Sequence, residues 1–233
     1  MAISLDSIKR NSIERAPFIV IHGPPGAGKT TFAAGAEKPI FIRAEDGLGA
    51  LDVDAFPVAN SYQDIIDSLA ALFEDGHGYK TVVIDSLSAL EPMIWARVAA
   101  DAGVKNLEDI GFGKGYMYAM DYWQDITNAC KGLAKRGITP ILIAHSEIRK
   151  HDAPDADPYD RYQIKLHKRA FALMIEQADV IGFAHVPVHV KKSEESRNKA
   201  VRKGSHQLQI TDSPAVVAKN RYNMPENVAL DWD

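Results

Sequence analysis

With 233 residues, 46% of them hydrophobic and 25% charged, the chain can bury a full globular core, and no apolar run approaches membrane-spanning length. A formal net charge of −4 at pH 7 argues against a protein that coats nucleic acid indiscriminately, because such binding needs many Lys and Arg side chains facing phosphates. The single cysteine, Cys130, excludes a disulfide within the chain. With the lack of a signal-peptide pattern, it predicts a cytoplasmic protein without a membrane partner.

The strongest motif follows a predicted strand over residues 18–21. It is the pattern G-x-x-x-x-G-K-[ST], in which glycines let successive backbone N–H groups surround a polyphosphate and a helix follows. We expect Lys29 to reach the outer phosphates and the Thr30 hydroxyl to hold Mg²⁺, which takes only one or two protein oxygens. The predicted nucleotide-binding residues are Gly23, Pro24, Pro25, Gly26, Ala27, Gly28, Lys29, Thr30 and Thr31.

Two further predicted strands end in acidic residues. Residues 39–44 lead into the polar turn that begins with Glu45, and the β-branched run 81–86 is typical of a parallel strand buried on both faces. Open α/β sheets place their chemistry at the carboxyl ends of such strands. We interpret Asp85 as the Walker B carboxylate, which orients the Mg²⁺ shell opposite Thr30; a cap for the following helix is the alternative.

A glycine-rich loop is predicted between the third and fourth strands, over residues 103–115. Lys105, Lys114 and Tyr116 suit a loop that contacts a single nucleic-acid strand, because bases stack on rings and ammonium groups meet phosphates. A surface loop whose tyrosines pack inward is the alternative. Helical spacing of apolar residues predicts helices over 62–73, 89–100, 123–135 and 166–177.

A second long loop is predicted after the strand 140–144, over residues 147–165, which lack apolar periodicity. A loop of this length at the functional edge of a sheet is more often a binding element than a filler, although here acids nearly balance bases. Its candidate DNA-binding residues are Arg149, Lys150, Arg161 and Lys165. Three late strands, 178–184, 207–211 and 215–218, accompany a basic hairpin over 191–203, which is either a solvated segment or a nucleic-acid contact.

These strand ends together resemble the RecA-type recombinase core and the hexameric replicative helicases. Residues 82–90 resemble the Walker B segment of the recombinases, and residues 41–48 resemble the strand that carries their catalytic glutamate. The sequence Lys219-Asn220-Arg221 is similar to the motif by which one helicase subunit reaches the nucleotide bound by its neighbour. Over residues 18–225 the chain is most similar to phage-encoded, RecA-like ATP-binding proteins implicated in single-strand annealing and recombination.

The resemblance implies an α/β P-loop NTPase fold with a mostly parallel central sheet flanked by helices and antiparallel strands near the C-terminus. We divide the chain into an N-terminal arm (1–16), a RecA-like ATPase core (17–225) and a C-terminal tail (226–233). The implied cofactors are ATP and Mg²⁺. The implied partners are single-stranded DNA, further copies of the chain with ATP at the subunit interfaces, and a single-strand-binding protein.

The resemblance also assigns roles to residues. Glu45 would polarise the attacking water, with a helix cap or a solvated turn acid as the alternative. His145 falls where the family has a residue that senses the γ-phosphate, usually glutamine. Lys219 and Arg221, two apart on a strand and hence on one face, would stabilise negative charge on the neighbouring subunit's nucleotide; a solvated sheet edge is the alternative. The predicted catalytic residues are Lys29, Glu45, Asp85, His145, Lys219 and Arg221.

The sequence therefore predicts an ATPase that binds single-stranded DNA and promotes annealing or homologous recombination for a phage. Two alternatives remain open. One is a nucleotide or small-molecule kinase that uses the loop 147–165 as a lid. The other is a DNA-binding adaptor that binds ATP without hydrolysing it.

Overall fold

The computed structural model describes residues 15–191, 199–202 and 204–232, with the backbone alone for residues 188–191 and 199–202. The predicted arm, residues 1–16, therefore lies outside the described residues except for its last two. The side chains of the basic segment 191–203 also lie outside this description.

Twelve strands are present in the described residues. They are β1 (Ile19–Gly23), β2 (Pro39–Arg43), β3 (Asp54–Ala55), β4 (Thr81–Asp85), β5 (Thr139–His151), β6 (Tyr159–Ile164), β7 (Val180–His185), β8 (Val188–Lys191), β9 (Lys199–Arg202), β10 (Gln207–Gln209), β11 (Lys219–Asn220) and β12 (Asn227–Ala229).

Ten of these strands form one sheet, and β8 and β9 form a separate antiparallel hairpin. In the sheet, the neighbours β7-β1-β5-β4-β2-β3 are parallel. Antiparallel strands are added to them: β10, β12 and β11 on the β7 side, and β6 on β5. The fold is thus α/β with a mostly parallel central sheet and antiparallel strands near the C-terminus, which confirms the predicted fold class.

Helices cover both faces of the sheet. Side chains alternate between the faces along each strand, so that Val20 packs in a cluster with Leu90 and Trp123 on one face and its neighbour Ile21 packs in a cluster with Ala33 on the other. In the described part of the chain, no helix is both long and apolar enough to cross a membrane. The helices are α1 (Lys29–Ala34), α2 (Tyr62–Ala71), α3 (Leu87–Asp101), α4 (Lys114–Lys135) and α5 (Lys168–Gln177), with a 3-10 helix at Leu107–Ile110.

Buried β-branched strands form the middle of the core. All five residues of β4 are buried, as the unbroken apolar run predicts for a parallel strand covered on both faces. Fully burying a side chain such as Ile84 contributes about 1.5–3 kcal/mol to stability. The central strands are therefore a rigid support for the residues at their ends.

Strand register brings the ends of four strands to one edge of the sheet. Gly23 of β1 lies opposite His145 of β5, and Asp85 of β4 lies between Ile143 of β5 and Arg43 of β2. Because these strands are parallel, the residues that follow them emerge at the same edge. This edge positions the candidate site.

The prediction of a long mobile loop over residues 147–165 was wrong. β5 continues to His151 and pairs with β6 from Ser146↔Ile164 to His151↔Tyr159. Most side chains of this hairpin are exposed or half-buried, so backbone hydrogen bonds define it rather than an apolar face. For this reason its sequence shows no apolar alternation.

The predicted glycine-rich loop also ends earlier than expected. α4 begins at Lys114, after Gly113 in the left-handed conformation (φ 65°), and not at Trp123. Lys114 and Tyr116 therefore lie on a helix. Ala119 and Trp123 are both buried and lie one turn apart, so the apolar face of α4 starts before the predicted boundary.

Two differences concern the C-terminal segment. The strand predicted over residues 215–218 is wrong, because the N–H groups of Ser213 and Val216 donate to each other's carbonyls (3.0 and 3.2 Å) and form a turn around Pro214. The predicted tail, 226–233, contributes β12, which pairs with β10 at the edge of the sheet. The other predicted strands and helices agree with the structure within a few residues.

One buried acid joins the helical layer. Glu91 of α3 is 7% exposed, and its two carboxylate oxygens accept the backbone N–H of His167, at 2.9 and 3.1 Å, just before α5 begins. Burial raises the pKa of Glu91 from 4.5 to about 7, although the hydrogen bond from His167 opposes that shift.

Candidate nucleotide-binding site

The loop between β1 and α1 needs glycine at several positions. Gly26 and Gly28 have φ values of 74° and 87°, in the left-handed region that disfavours other residues. A Cβ on Gly23 would lie 2.4 Å from the carbonyl oxygen of Ala184, so only glycine fits against β7 there. The loop thus has the backbone conformation that a phosphate cradle requires.

The lysine of the motif turns back into this loop. Lys29 is 7% exposed, and its Nζ donates to the carbonyl oxygens of Gly23 and Pro24, both at 3.0 Å. Burial lowers the pKa of the Lys29 ammonium, and the carboxylates of Asp85 and Glu45 oppose that shift. A partly desolvated ammonium gains most from an anion, so this placement fits a phosphate oxygen beside the loop.

The hydroxyl of Thr30 meets the carboxylate that ends β4. Thr30 Oγ1 donates to Asp85 Oδ2 at 2.8 Å, and Asp85 is 6% exposed. Burial raises the pKa of Asp85, while the hydrogen bond from Thr30 and the charge of Lys29 oppose the shift. A hydroxyl and a carboxylate are hard oxygen ligands of the kind Mg²⁺ takes, so the residues present fit the ion.

The alternative role of Asp85 as a helix cap does not apply. The cap of α3 is Ser86, whose Oγ accepts the backbone N–H of Ala89 at 3.3 Å. The carboxylate of Asp85 is directed to Thr30 instead. The peptide bond between Asp85 and Ser86 is cis.

Glu45 is held at the same edge by two neighbours. Ser86 Oγ donates to Glu45 Oε1 at 2.6 Å, and His145 Nε2 lies 3.5 Å from the same oxygen. The backbone N–H of Ala44 donates to the carbonyl of Asp85 at 2.7 Å, which fixes the turn beside β4. The side chain of Glu45 is 40% exposed, so water reaches a carboxylate whose orientation is set by Ser86.

The structure therefore brings four predicted residues together: Lys29, Thr30, Asp85 and Glu45. His145 joins them, because its Nε2 faces Glu45 and its backbone N–H donates to Ser88 Oγ at 3.0 Å. A sensor role for His145 stays a prediction.

Lys219 and Arg221 are not part of this group. β11 pairs with the amino end of β7, with Lys219 opposite Ile181, whereas the phosphate loop follows the carboxyl end of β1. Both side chains reach the carbonyl of Glu176 at the end of α5, and Arg221 also pairs with Asp179 at 3.1 Å. Both side chains lie at the sheet edge opposite the phosphate loop of their own chain, although β11 ends at Asn220 and only Lys219 is on the strand.

The candidate DNA-binding residues fall into two places. Arg149, Lys150 and Arg161 lie on the β5–β6 hairpin, and Lys165 follows it, with its backbone N–H donating to the carbonyl of His145 at 2.8 Å. Arg149 pairs with Glu147 at 2.9 Å, and Arg161 pairs with Asp212.

The second place is the start of α4 and the loop before it. Lys105 and Lys114 are exposed. Tyr116 instead stacks on His167, with 4.2 Å between ring centroids and 8° between planes, and its hydroxyl donates to Glu108 at 3.3 Å. Tyr116 therefore follows the alternative prediction, in which the tyrosines of this region pack inward.

Several residues of this region were not found from the sequence. His22 is fully buried one residue before the phosphate loop, and burial lowers its pKa to about 4. Its Nε2 lies 2.8 Å from the carbonyl of Val217 and its Nδ1 2.8 Å from Ser146 Oγ. A serine between a strand and a helix is a cap signal that could have identified Ser86. No local signal marks His22, because its partners lie far away in the sequence.

Comparison with known proteins identifies the family. A family model described as an AAA domain matches residues 15–222. The SPbeta prophage-derived uncharacterized protein YorG of Bacillus subtilis (strain 168) is 26% identical over 169 residues, which are 70% of this chain and 49% of that protein. The chain thus spans about half the length of the curated relative it matches.

Two solved structures resemble the chain at a TM-score of 0.45. They are the RadB recombinase, 13% identical and covering 84% of this chain and 89% of that one, and the flagellar accessory protein FlaH from Methanocaldococcus jannaschii, 12% identical and covering 91% and 84%. Because the AAA domain model spans residues 15–222, the chain belongs to the AAA domain family.

Proposed function

We propose that this chain hydrolyses ATP with Mg²⁺. Its assembly depends on the bound nucleotide and binds single-stranded DNA for annealing or homologous recombination. The observation that carries the nucleotide part is the contact between Thr30 of the phosphate loop and Asp85 at the end of β4. It joins the two elements that a triphosphate and its metal need.

In phosphoryl transfer the protein contributes position and charge. Lys29 and the loop amides bind the phosphates, and Thr30 and Asp85 hold Mg²⁺, which when bound neutralises the charge developing on the phosphate oxygens. Glu45 polarises the attacking water. Ser86 orients Glu45 by its 2.6 Å hydrogen bond to Oε1, so that the carboxylate does not have to be ordered at the moment of reaction.

The β5–β6 hairpin supports the DNA part of the proposal. β5 runs without interruption from His145 beside Glu45 into the hairpin, so one strand leads from the nucleotide to a surface that carries Arg149 and Lys150. The cross-strand pair Ile148 and Tyr162 is exposed at 57% and 39%. The ring of Tyr162 packs on Phe183, with 5.0 Å between centroids, so one of its faces is available. A partly exposed ring beside cations suits the binding of single-stranded bases.

The positions of Lys219 and Arg221 support an assembly with ATP at subunit interfaces. Both lie at the sheet edge opposite the phosphate loop of their own chain. A nucleotide that they contact would therefore be one bound by a neighbouring subunit. The name of the relative, a prophage-derived protein, supports the proposal that this chain serves a phage.

The kinase alternative has less support, because the segment proposed as its lid is part of a hairpin. The segment 147–165 contains five of the six paired positions of the β5–β6 hairpin, which leaves less backbone free to close over a substrate than a loop would. The adaptor alternative, in which ATP is bound and not hydrolysed, is an outcome of the test below.

The test is ATP hydrolysis with and without oligothymidine over a range of salt concentrations. We expect stimulation by DNA that weakens as salt rises, because contacts with phosphates release counterions. Lys29→Ala should abolish turnover; unchanged turnover would refute the site. Negligible turnover with intact ATP and DNA binding would favour the adaptor.

A charge-matched pair of variants locates the DNA. Lys150→Ala with Lys165→Ala removes two exposed cations at the hairpin, whereas Lys80→Ala with Lys135→Ala removes two exposed cations at the opposite edge of the sheet. We expect the first double variant alone to lose DNA stimulation while keeping basal hydrolysis. Equal effects of the two would contradict the hairpin assignment.

A further inference from the structure

A cavity of about 500 Å³ opens directly beside the phosphate loop. It begins at Gly26 and Gly28 and extends along α1. Its far wall comes from residues much later in the chain, which are His206, Leu230, Asp231 and Trp232. Its volume lies within the range of about 300–1,000 Å³ that is usual for small-molecule sites.

The far wall is fixed to the loop by specific contacts. His206 Nδ1 lies 2.9 Å from the carbonyl oxygen of Ala27, and a Cβ on Gly28 would lie 3.1 Å from Leu230 Cδ2. The backbone N–H of Leu230 donates to the carbonyl of His206 at 3.3 Å. The C-terminal strand β12 therefore continues into a segment that is packed on the phosphate loop.

The aromatic part of this wall rests on α1. The ring of Trp232 stacks on Phe32 with 4.7 Å between centroids and 21° between planes, and its Nε1 donates to the Phe32 carbonyl. A Cβ on Gly35 would lie 3.1 Å from Trp232 Cδ1, so glycine allows this close approach. The indole is 42% exposed, which leaves ring surface available to a ligand.

The polar groups of the cavity suit a nucleoside. A carbonyl can only accept, so His206 Nδ1 donates to Ala27, and in the neutral imidazole this leaves Nε2 as an acceptor for a hydroxyl such as those of ribose. Asp231 Oδ1 accepts a hydrogen bond from the backbone N–H of Trp232 at 2.8 Å. Its second oxygen can accept an amino group. A purine base offers both a face for stacking and, in adenine and guanine, an exocyclic amino group.

We propose that this cavity holds the ribose and the purine base of the nucleotide, with the base stacked on Trp232 and its amino group donating to Asp231. The inference rests on the proposed binding of a triphosphate by the phosphate loop. The segment 230–232 then sets the preference for the base, while the loop binds any polyphosphate.

Photolabelling with 8-azido-ATP followed by peptide mapping tests the position directly. We expect label in the tryptic peptides that contain His206 or Trp232, with protection by excess ATP. Label confined to other peptides would overturn the inference. A protein that binds neither ATP nor tripolyphosphate would instead contradict the proposed function.

Affinities for ATP, ITP and tripolyphosphate test the contributions of the side chains. Trp232→Ala should weaken ATP binding about tenfold and leave tripolyphosphate unchanged, and Trp232→Phe should retain most of the affinity. Asp231→Asn should weaken ATP more than ITP, because the hypoxanthine base lacks the amino group. Wild-type ATP affinity in Trp232→Ala, or equal losses of ATP and tripolyphosphate, would overturn the inference.

Discussion

The hydroxyl of Thr30 and the carboxylate of Asp85 are joined by a 2.8 Å hydrogen bond across 55 residues of sequence. The carboxylate is buried, and burial raises its pKa, so the hydroxyl is one of the groups that keep it ionised. This pairing places the oxygens that we propose to hold Mg²⁺ at the first strand-to-helix turn.

Thr30→Ala should weaken Mg²⁺-dependent binding of ATP and shift the pH dependence of hydrolysis. Removing the hydroxyl removes a hydrogen bond that lowers the pKa of Asp85, so its pKa rises further and the activity that needs the ionised carboxylate is lost at a higher pH. Hydrolysis measured from acid to neutral pH checks this. The exposed Thr211→Ala is the control and should behave like the wild type; an acid limb at the same pH in Thr30→Ala would contradict the prediction.

Glu45→Gln should retain ATP binding while slowing hydrolysis by a factor of about 100 or more, because general-base assistance is worth about 10²–10⁴. Ser86→Ala should give a smaller loss in turnover at an unchanged ATP affinity, since it keeps the Glu45 carboxylate and removes the bond that orients it, together with the cap of α3. Single-turnover hydrolysis and equilibrium ATP binding separate these effects. Ser68→Ala, on the exposed side of α2, is the matched control. Full turnover in Glu45→Gln would exclude it as the catalytic base.

Lys219→Ala and Glu45→Gln proteins should each be impaired alone and regain part of the activity when mixed. Lys219 lies at the edge opposite its own loop, so in a mixed assembly one interface can contain an intact Lys219 and an intact Glu45. Hydrolysis measured against the mixing ratio gives the result. Without recovery, Lys219 would have a role within one subunit, such as its contact with the end of α5.

Glu91→Gln should reduce the loss of thermal stability as pH rises from about 4.5 to 7. Because burial raises the folded-state pKa of Glu91 to about 7, the folded protein binds more protons than the unfolded chain in this window, so stability falls as pH rises. The difference in the free energy of unfolding between variant and wild type should change by about 1–3 kcal/mol across this pH window. The upper value applies without screening by solvent. Denaturation curves at several pH values measure it; parallel curves would contradict the assigned pKa.

The central strands and the phosphate loop could be predicted because their signals are local. The run Thr81–Asp85 is apolar and β-branched throughout, and the glycines of the loop are required by its own backbone. The meeting of Thr30 with Asp85 could be expected because the motif marks Thr30, an acid ends the run 81–85, and the carboxyl ends of parallel strands meet at one edge.

The missed features depend on contacts between distant segments or on solvent-exposed pairing. The β5–β6 hairpin has polar residues on both faces and therefore no periodicity to detect. The link from Ser86 to Glu45 joins two turns, and Trp232 reaches Phe32 across most of the chain. Sequence spacing carries no information about such pairs.

The stacking of Trp232 on Phe32 has a practical consequence for handling the protein. A label or cross-link attached within the segment 230–232 would lie at the rim of the cavity next to the phosphate loop. Labels and surface attachments are therefore better placed away from both this segment and the edge that carries Lys219 and Arg221.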